Sequence, residues 1–286
     1  METSAVSYGS KKKRRIVDAI VLAMLTLVAG IMCVPIFTML TTSVKTTGET
    51  FQYPPTFIPQ TFDFSAYVRV FQKLDLVPHY LNSLFVSILI VIGTLVSSSL
   101  IAYGFSRYRA PGKKVLFMLV MSTLMIPYPS VMIPQYILFN KIRWVDTYLP
   151  LVVPAFLGSA YMIFLLKQFF SSISNELFDA ARIDGCSEFK IFYRIVLPLS
   201  KAALASVAIF SFMWSWDDLL GPVIYLSSPE KYTLPVLLAG LVSKFRIPEW
   251  NIMMVAALYA ALPCILLFIF CQRYFVEGIV TSGIKG

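Results

Sequence analysis

The stretch NELFDAARIDGCSEFKIFYRIVLP, residues 175–198, decides how the rest of the chain is read. It is polar and separates two apolar runs, each long enough to cross a bilayer. It carries the acids Glu176, Asp179, Asp184 and Glu188 and the bases Arg182, Lys190 and Arg194. A mere connector would be short and rich in Gly, Pro and Ser. The pattern here predicts two short helices with a hinge. Leu177, Ala180, Ala181 and Asp184 fall at i, i+3, i+4 and i+7, one face of a helix. Gly185 follows, the residue that tolerates the left-handed position where a helix stops. Ser187 can cap a second helix, on which Phe189, Phe192, Ile195 and Val196 form an apolar stripe. Pro198 marks its end, because the residue before a proline avoids helical dihedrals. The small pair Ala180–Ala181 lets another backbone approach. Such an element suits a partner's grip; an ordinary charged loop lacks this helix–Gly–helix order.

Outward from this stretch, composition sets the class. The 286 residues are 58% hydrophobic and 14% charged, with mean hydropathy +0.75. That is a multi-span membrane protein rather than a soluble domain. Aromatic residues reach 15%, which suits both interfacial belts and walls that stack on sugars. Cys33, Cys186, Cys264 and Cys271 show no CxxC spacing, so neither a disulfide framework nor a zinc site is implied. The single His79, just before the second span, excludes a histidine cluster and reads as an interfacial or capping residue.

Six spans are expected, near residues 16–40, 83–105, 115–139, 149–170, 202–226 and 252–270. The first follows KKKRR, is too long for a signal peptide and lacks a cleavage pattern. Residues 41–82 form a Pro-rich outer loop in which 57–71 suggest a short surface helix. Gly93 and Ser97, then Ser98 and Ala102, are pairs of small residues four apart on the second span, which favours close helix packing. Pro127, Pro129 and Pro134 interrupt the third span and predict a kink, structural or beside a transport path. The domain plan is a cytoplasmic segment 1–15, a transmembrane domain 16–271 containing the loop 171–200, and a cytoplasmic tail 272–286.

With the N-terminus inside, sixteen of the 24 Lys and Arg residues fall on or beside the cytoplasmic side and eight outside. The positive-inside rule supports that orientation. It puts residues 175–198 in the cytoplasm, and it accounts for the net charge of +9 without nucleic acid.

DAARIDG followed by Ile195, Leu197 and Pro198 resembles the "EAA" loop of ABC-importer permeases. Asp179 stands where the family usually has Glu, Cys186 where a small residue is common, and Ser174 where many members have Pro. The segments AYMIFLLKQFF (160–170), PLSKAALASVAIFSFMWSWDD (198–218), YTLPVLL (232–238) and QRYFVEGIVTSGIKG (272–286) look like the carbohydrate-uptake, maltose-type branch, and its shorter six-helix partner in particular. The resemblance implies an all-α, polytopic transmembrane bundle of the type I importer fold in a bacterial cell membrane. Its implied partners are a second permease, a cytoplasmic ATPase dimer that carries ATP and Mg, and an extracytoplasmic solute-binding protein. No cofactor is implied on this chain. The implied coupling residues are Glu176, Asp179, Ala180, Ala181, Arg182, Asp184, Gly185, Leu197 and Pro198. Residues 227–251 match the loop that probes the binding protein, and 281–286 the tail that reaches the ATPase.

The sequence holds no catalytic inventory. Gly112-Lys113 lacks the glycine five residues earlier that a Walker A loop needs, since Arg107 stands there. Nucleophile-elbow, HExxH and Rossmann patterns are also missing, so this chain works mechanically rather than as an enzyme. Asp217 and Asp218, in WSWDDLLGP, are the most informative polar groups near a span. Their carboxylates can accept from sugar hydroxyls, while Trp214, Trp216 and Tyr161 offer stacking faces. The alternative is that both acids meet water or pair with a neighbouring base. An ion-coupled carrier would need acids at the membrane midplane and usually inverted repeats. A permease of the same fold for a polyol phosphate or polyamine is the closer competitor to a sugar permease.

Overall fold

A computed structural model describes residues 6–244 and 249–283, with side chains for 14–241 and 249–272. Among them are helices and no strand. In chain order the helices are α1 (Val6–Ser43), α2 (Ser65–Leu74), α3 (Leu76–Arg107), α4 (Lys113–Ser122), α5 (Tyr128–Lys141), α6 (Leu149–Val152), α7 (Ala160–Ser172), α8 (Asn175–Ile183), α9 (Glu188–Ile191), α10 (Leu197–Leu199), α11 (Lys201–Trp216), α12 (Leu220–Tyr225), α13 (Leu234–Lys244) and α14 (Trp250–Gly283). Four stretches are long and apolar enough to cross a membrane, and the number rises to six if each of two bent pairs is one span. The prolines of the third expected span act at one point. α4 and α5 meet at 98° across Ile126 and Pro127. Pro134 lies inside α5 without ending it.

The chain forms two compact units. The first contains the chain up to Lys73 and the segment ending at Tyr259. In it none of the apolar window of α1 is buried among the described residues, so that surface is left for lipid or another subunit. The Pro-rich loop after α1 is tied down by polar contacts. Asn251 Nδ2 donates to Lys45 O at 3.1 Å, Ser43 and Tyr67 share a 2.9 Å hydroxyl bond, and Arg69 and Lys73 both reach Glu249. The expected surface helix exists but begins later, at Ser65, with Ala66 and Val70 fully buried beneath it.

The second unit is organised around α3. Its small residues let neighbours in: a Cβ on Gly93 would sit 2.6 Å from the Phe156 ring. Ser97 Oγ donates to Ala155 O at 2.8 Å, and Ser98 Oγ accepts from Ser159 N at 3.2 Å. Ser83 Oγ accepts from Leu234 N, and Ser215 pairs with Ser87. Interhelical hydrogen bonds in lipid average about 0.6 kcal/mol each, so they orient helices while packing supplies most of the stability. The core runs along α3, α7 and α11 through Ala102, Tyr103, Met162, Leu166, Phe170, Ala203 and Val207. It continues into the polar stretch through Phe178, Ala181, Ile191, Phe192 and Val196. His79 is buried and hydrogen-bonded through Nδ1 to Tyr232 O at 2.9 Å, a tie between distant parts of the chain rather than the interfacial or capping role expected.

Candidate functional site

Residues 175–198 fold as two helices about a glycine hinge. Ser174 Oγ accepts from Glu176 N and caps α8. At its other end Gly185 adopts φ +74°, its N–H bonds Arg182 O at 3.0 Å, and Cys186 N bonds Ala181 O at 2.9 Å. That pair of bonds is a Schellman closure, which needs a left-handed residue at Gly185. Ser187 Oγ then accepts from Lys190 N and starts α9.

Two details depart from expectation. The inward face of α8 is Phe178 and Ala181, while Leu177, Ala180 and Asp184 face out. A long aromatic ring wins the core position over a face that periodicity alone admits. On the second helix Ile191, Phe192 and Val196 are buried, Ile195 is half-buried and Phe189 is exposed. The helix also runs through Pro198 rather than stopping at Leu197. Residues Phe192–Val196 form a π turn just before it. A proline ring normally collides with the carbonyl four residues back, and the wider turn relieves that crowding. The break comes at Ser200, where α11 departs at 79°.

The outer surface of this element is apolar to a degree that water does not favour. Ile183 is 87% exposed and Phe189 72%, with Leu177 and Tyr193 also exposed. Around them stand Glu176, Asp179, Ala180, Arg182, Asp184 and Gly185, all exposed. Leu197 and Pro198 line a neighbouring cleft of about 550 Å³ with Tyr193, Arg194 and Lys201. An apolar patch rimmed by charge marks a surface that meets another protein or a membrane. Ala181 is the exception among the expected coupling residues, because it faces the core.

The element is held by groups that its motif does not contain. Arg107, ending α3, donates to Asn175 Oδ1 and Ile173 O at 2.8 Å each and to Phe170 O. Its guanidinium lies 3.8 Å above the Phe178 ring. Tyr103 Oη donates to Glu188 Oε2 at 2.8 Å. Arg182 bridges the two helices, with Nε to Glu188 at 2.9 Å and Nη1 to Asp179 at 3.1 Å. The Glu188 carboxylate bonded to it, with Asp179 as a lesser cause, holds the Arg182 guanidinium above its ordinary value. Sequence offers one clue to Arg107: it is the only Lys or Arg in α3.

The expected substrate-path residues separate into two groups. Trp214 is 56% exposed and its ring lies 5.6 Å from that of Tyr161, also exposed. Asp217 is exposed in the break after α11. Trp216 is 2% exposed, stacks on Phe212, meets Tyr80 edge-on and donates Nε1–H to Ala260 O at 2.9 Å. Asp218 Oδ1 accepts from Gly221 N at 3.1 Å, where α12 begins. Thus Tyr161, Trp214 and Asp217 keep free surface, and Trp216 and Asp218 spend theirs on packing and on a turn.

The hinged loop, its apolar outer face and the membrane helices on both sides form one arrangement. Residues 93–280 match the family of binding-protein-dependent transport system inner membrane components. The chain belongs to this family. The permease is 34% identical over 262 residues to the arabinooligosaccharides transport system permease protein AraQ of Halalkalibacterium halodurans, covering 91% of this chain and 93% of that protein. It is 30% identical over 270 residues to the lactose transport system permease protein LacG of Rhizobium radiobacter, covering 94% and 97%. The fold superposes with TM-score 0.79 and 25% identity on the crystal structure of a bacterial ABC transporter involved in the import of the acidic polysaccharide alginate, covering 96% of this chain and all of that one. It is therefore an ABC-importer permease and a multi-pass membrane protein, from a family whose members are not themselves enzymes.

Proposed function

We propose that this permease is the subunit through which an ATPase dimer drives carbohydrate import. One observation carries the reading: the loop 175–198 presents Leu177, Ile183, Phe189 and Tyr193 outward on a rigid, hydrogen-bonded hinge. Such a surface is costly in water and is satisfied by an apolar groove on another protein. ATP and Mg bind the ATPase chains, and none binds here. ATPase closure pushes the loop, and the helices joined to it rock between two packed states. Solute is moved because its affinity differs between those states.

Carbohydrate is favoured by the relatives, whose names specify arabinooligosaccharides and lactose, and by the alginate transporter of the same fold. Tyr161, Trp214 and Asp217 supply the ring faces and the carboxylate that a sugar would meet. Both termini lie in the cytoplasm, a companion permease covers part of the exposed α1 surface, and residues 227–251 meet the extracytoplasmic binding protein. Part of that loop, 245–248, and the end of the tail expected to reach the ATPase, 284–286, lie outside the described residues. The test is co-purification of the ATPase with the permease, followed by ATP hydrolysis with and without a sugar-loaded binding protein. Absence of the ATPase from the purified complex, or labelling of Lys190 from outside intact cells, overturns the reading.

A further inference from the structure

We infer that Tyr103 and Arg107 are positioning residues that make the coupling loop and α3 move as one body. The inference rests on the reading that residues 175–198 receive the ATPase's motion. Force applied to a loop reaches a membrane helix only through contacts stiff enough to carry it. The covalent route from the loop leads to α7 on one side, through Ile173 and Ser174, and to α11 on the other, through a π turn and the break at Ser200. Neither route reaches α3, the helix against which α7 and α11 both pack. Tyr103 and Arg107, one helical turn apart, close that gap.

They hold the loop at both halves. Among the described residues Arg107 meets no carboxylate; it bonds the carbonyls that close α7, the amide of Asn175 that opens α8, and the Phe178 face. A planar guanidinium can serve these acceptors at once, and an ammonium cannot reproduce the geometry. Tyr103 takes the second helix through Glu188 Oε2, and Glu188 Oε1 in turn accepts from Arg182 of the first. The two helices are thus cross-braced to each other and jointly fastened to the last turn and a half of α3. The Tyr103 ring is buried against Phe192, 5.1 Å away between ring centres, so the phenol has little freedom to swing. Removing the hydroxyl leaves this packing in place, which separates the tie from the core.

The experiment uses the assembled importer in lipid nanodiscs, with this chain's four cysteines and any accessible ones of its partners replaced, and spin labels at Leu100→Cys on α3 and Lys190→Cys on α9. Distances are measured at rest and with ATP and Mg, so the imported solute need not be known. With Tyr103 and Arg107 present, one narrow distance is expected in both states. In the Tyr103→Phe, Arg107→Gln double variant, the resting distance stays and the ATP state gains a second, separated population. Loss of contacts to charged partners of this kind is expected to shift that balance about tenfold. The ATPase stays bound and hydrolyses ATP. A single unchanged distance in the double variant overturns the inference, as does loss of the ATPase, which would make these residues part of docking. If the double variant does not accumulate, Glu188→Gln, which touches only the Tyr103 and Arg182 contacts, is judged by the same two outcomes. Failure of the unmodified complex to retain ATPase instead overturns the proposed function, and is seen before any variant is compared.

Discussion

Asp146 is bound to Lys231 twice over: Lys231 Nζ lies 2.8 Å from its Oδ2 and 2.7 Å from its carbonyl oxygen. Asp146 has φ +62°, and its carboxylate also accepts from Ser227 N, Ser228 N and Ser228 Oγ. The loop after α5 is thereby clamped to the loop after α12. The lysine first, then the Ser228 hydroxyl and the two backbone donors, hold this carboxyl well below the usual range. A depressed carboxylate contributes stability that is fully present above its unfolded value of 3.8 and is lost as pH falls through the folded value. The clamp is therefore expected to hold unchanged between pH 5 and pH 8 and to loosen only in strong acid. Asp146→Asn is expected to raise proteolysis of the loop at Lys231 in the purified permease several-fold at neutral pH. Equal cleavage of both proteins would show that the clamp does not order the loop.

Gly185 separates a backbone requirement from a contact requirement. A Cβ there meets open space in this chain, yet φ +74° costs most L-residues about 1–2 kcal/mol. Asn tolerates this conformation far better than Val. Gly185→Val is expected to lose both the hinge and ATPase retention. Gly185→Asn is expected to keep the permease's thermal stability and still lose ATPase, because the proposed docking puts the added side chain in the partner's groove. Retention of ATPase by the Asn variant would mean the docked partner leaves room at the hinge.

The exposed apolar grip can be tested without touching the hinge. Ile183→Asp and Phe189→Ser remove side chains that each gain about 1.5–3 kcal/mol on full burial. Each is expected to weaken ATPase association roughly tenfold or more, since 1.4 kcal/mol is a factor of ten. Thermal stability of the isolated permease should not fall, because neither side chain packs in its core. A fall in stability with unchanged ATPase retention would reverse this assignment.

Around the end of α11 the two tryptophans are expected to behave oppositely. Trp216→Ala opens a cavity against Tyr80 and Phe212 and strands the Ala260 contact, a loss of about 3–5 kcal/mol. Lower melting temperature and poor accumulation are the expected readouts. Trp214→Ala and Asp217→Ala are expected to leave assembly intact and lower sugar uptake. Normal uptake by the Trp214→Ala, Asp217→Ala pair would remove these residues from the substrate path.

Much of this architecture is legible in the residues themselves. The Gly185 stop and the Ser187 cap follow from local chemistry that acts within a few residues, so no tertiary knowledge is needed to place them. The small residues of α3 likewise announce close packing. What sequence could not rank were competitors of similar local merit. Leu177 and Phe178 both suit a helix face, and contacts distant in the chain, the buried cluster of Tyr103, Phe170 and Phe192 and the Arg107 guanidinium above the ring, select Phe178. Pro198 reads as a stop because the π turn that accommodates it leaves no periodic trace. Trp216 and Trp214 are two residues apart and chemically identical, so their division between core and surface depends on Tyr80 and Ala260, distant in the chain. The Tyr103–Glu188 tie spans 85 positions and belongs to no motif.

The turn at Gly185 is closed by main-chain atoms alone: two amide hydrogens, two carbonyls and a glycine. Shape and adhesion are consequently written in different alphabets. Ile183 and Phe189 can be exchanged for other side chains while the bend persists, so what this surface adheres to can change without any change in the shape that presents it.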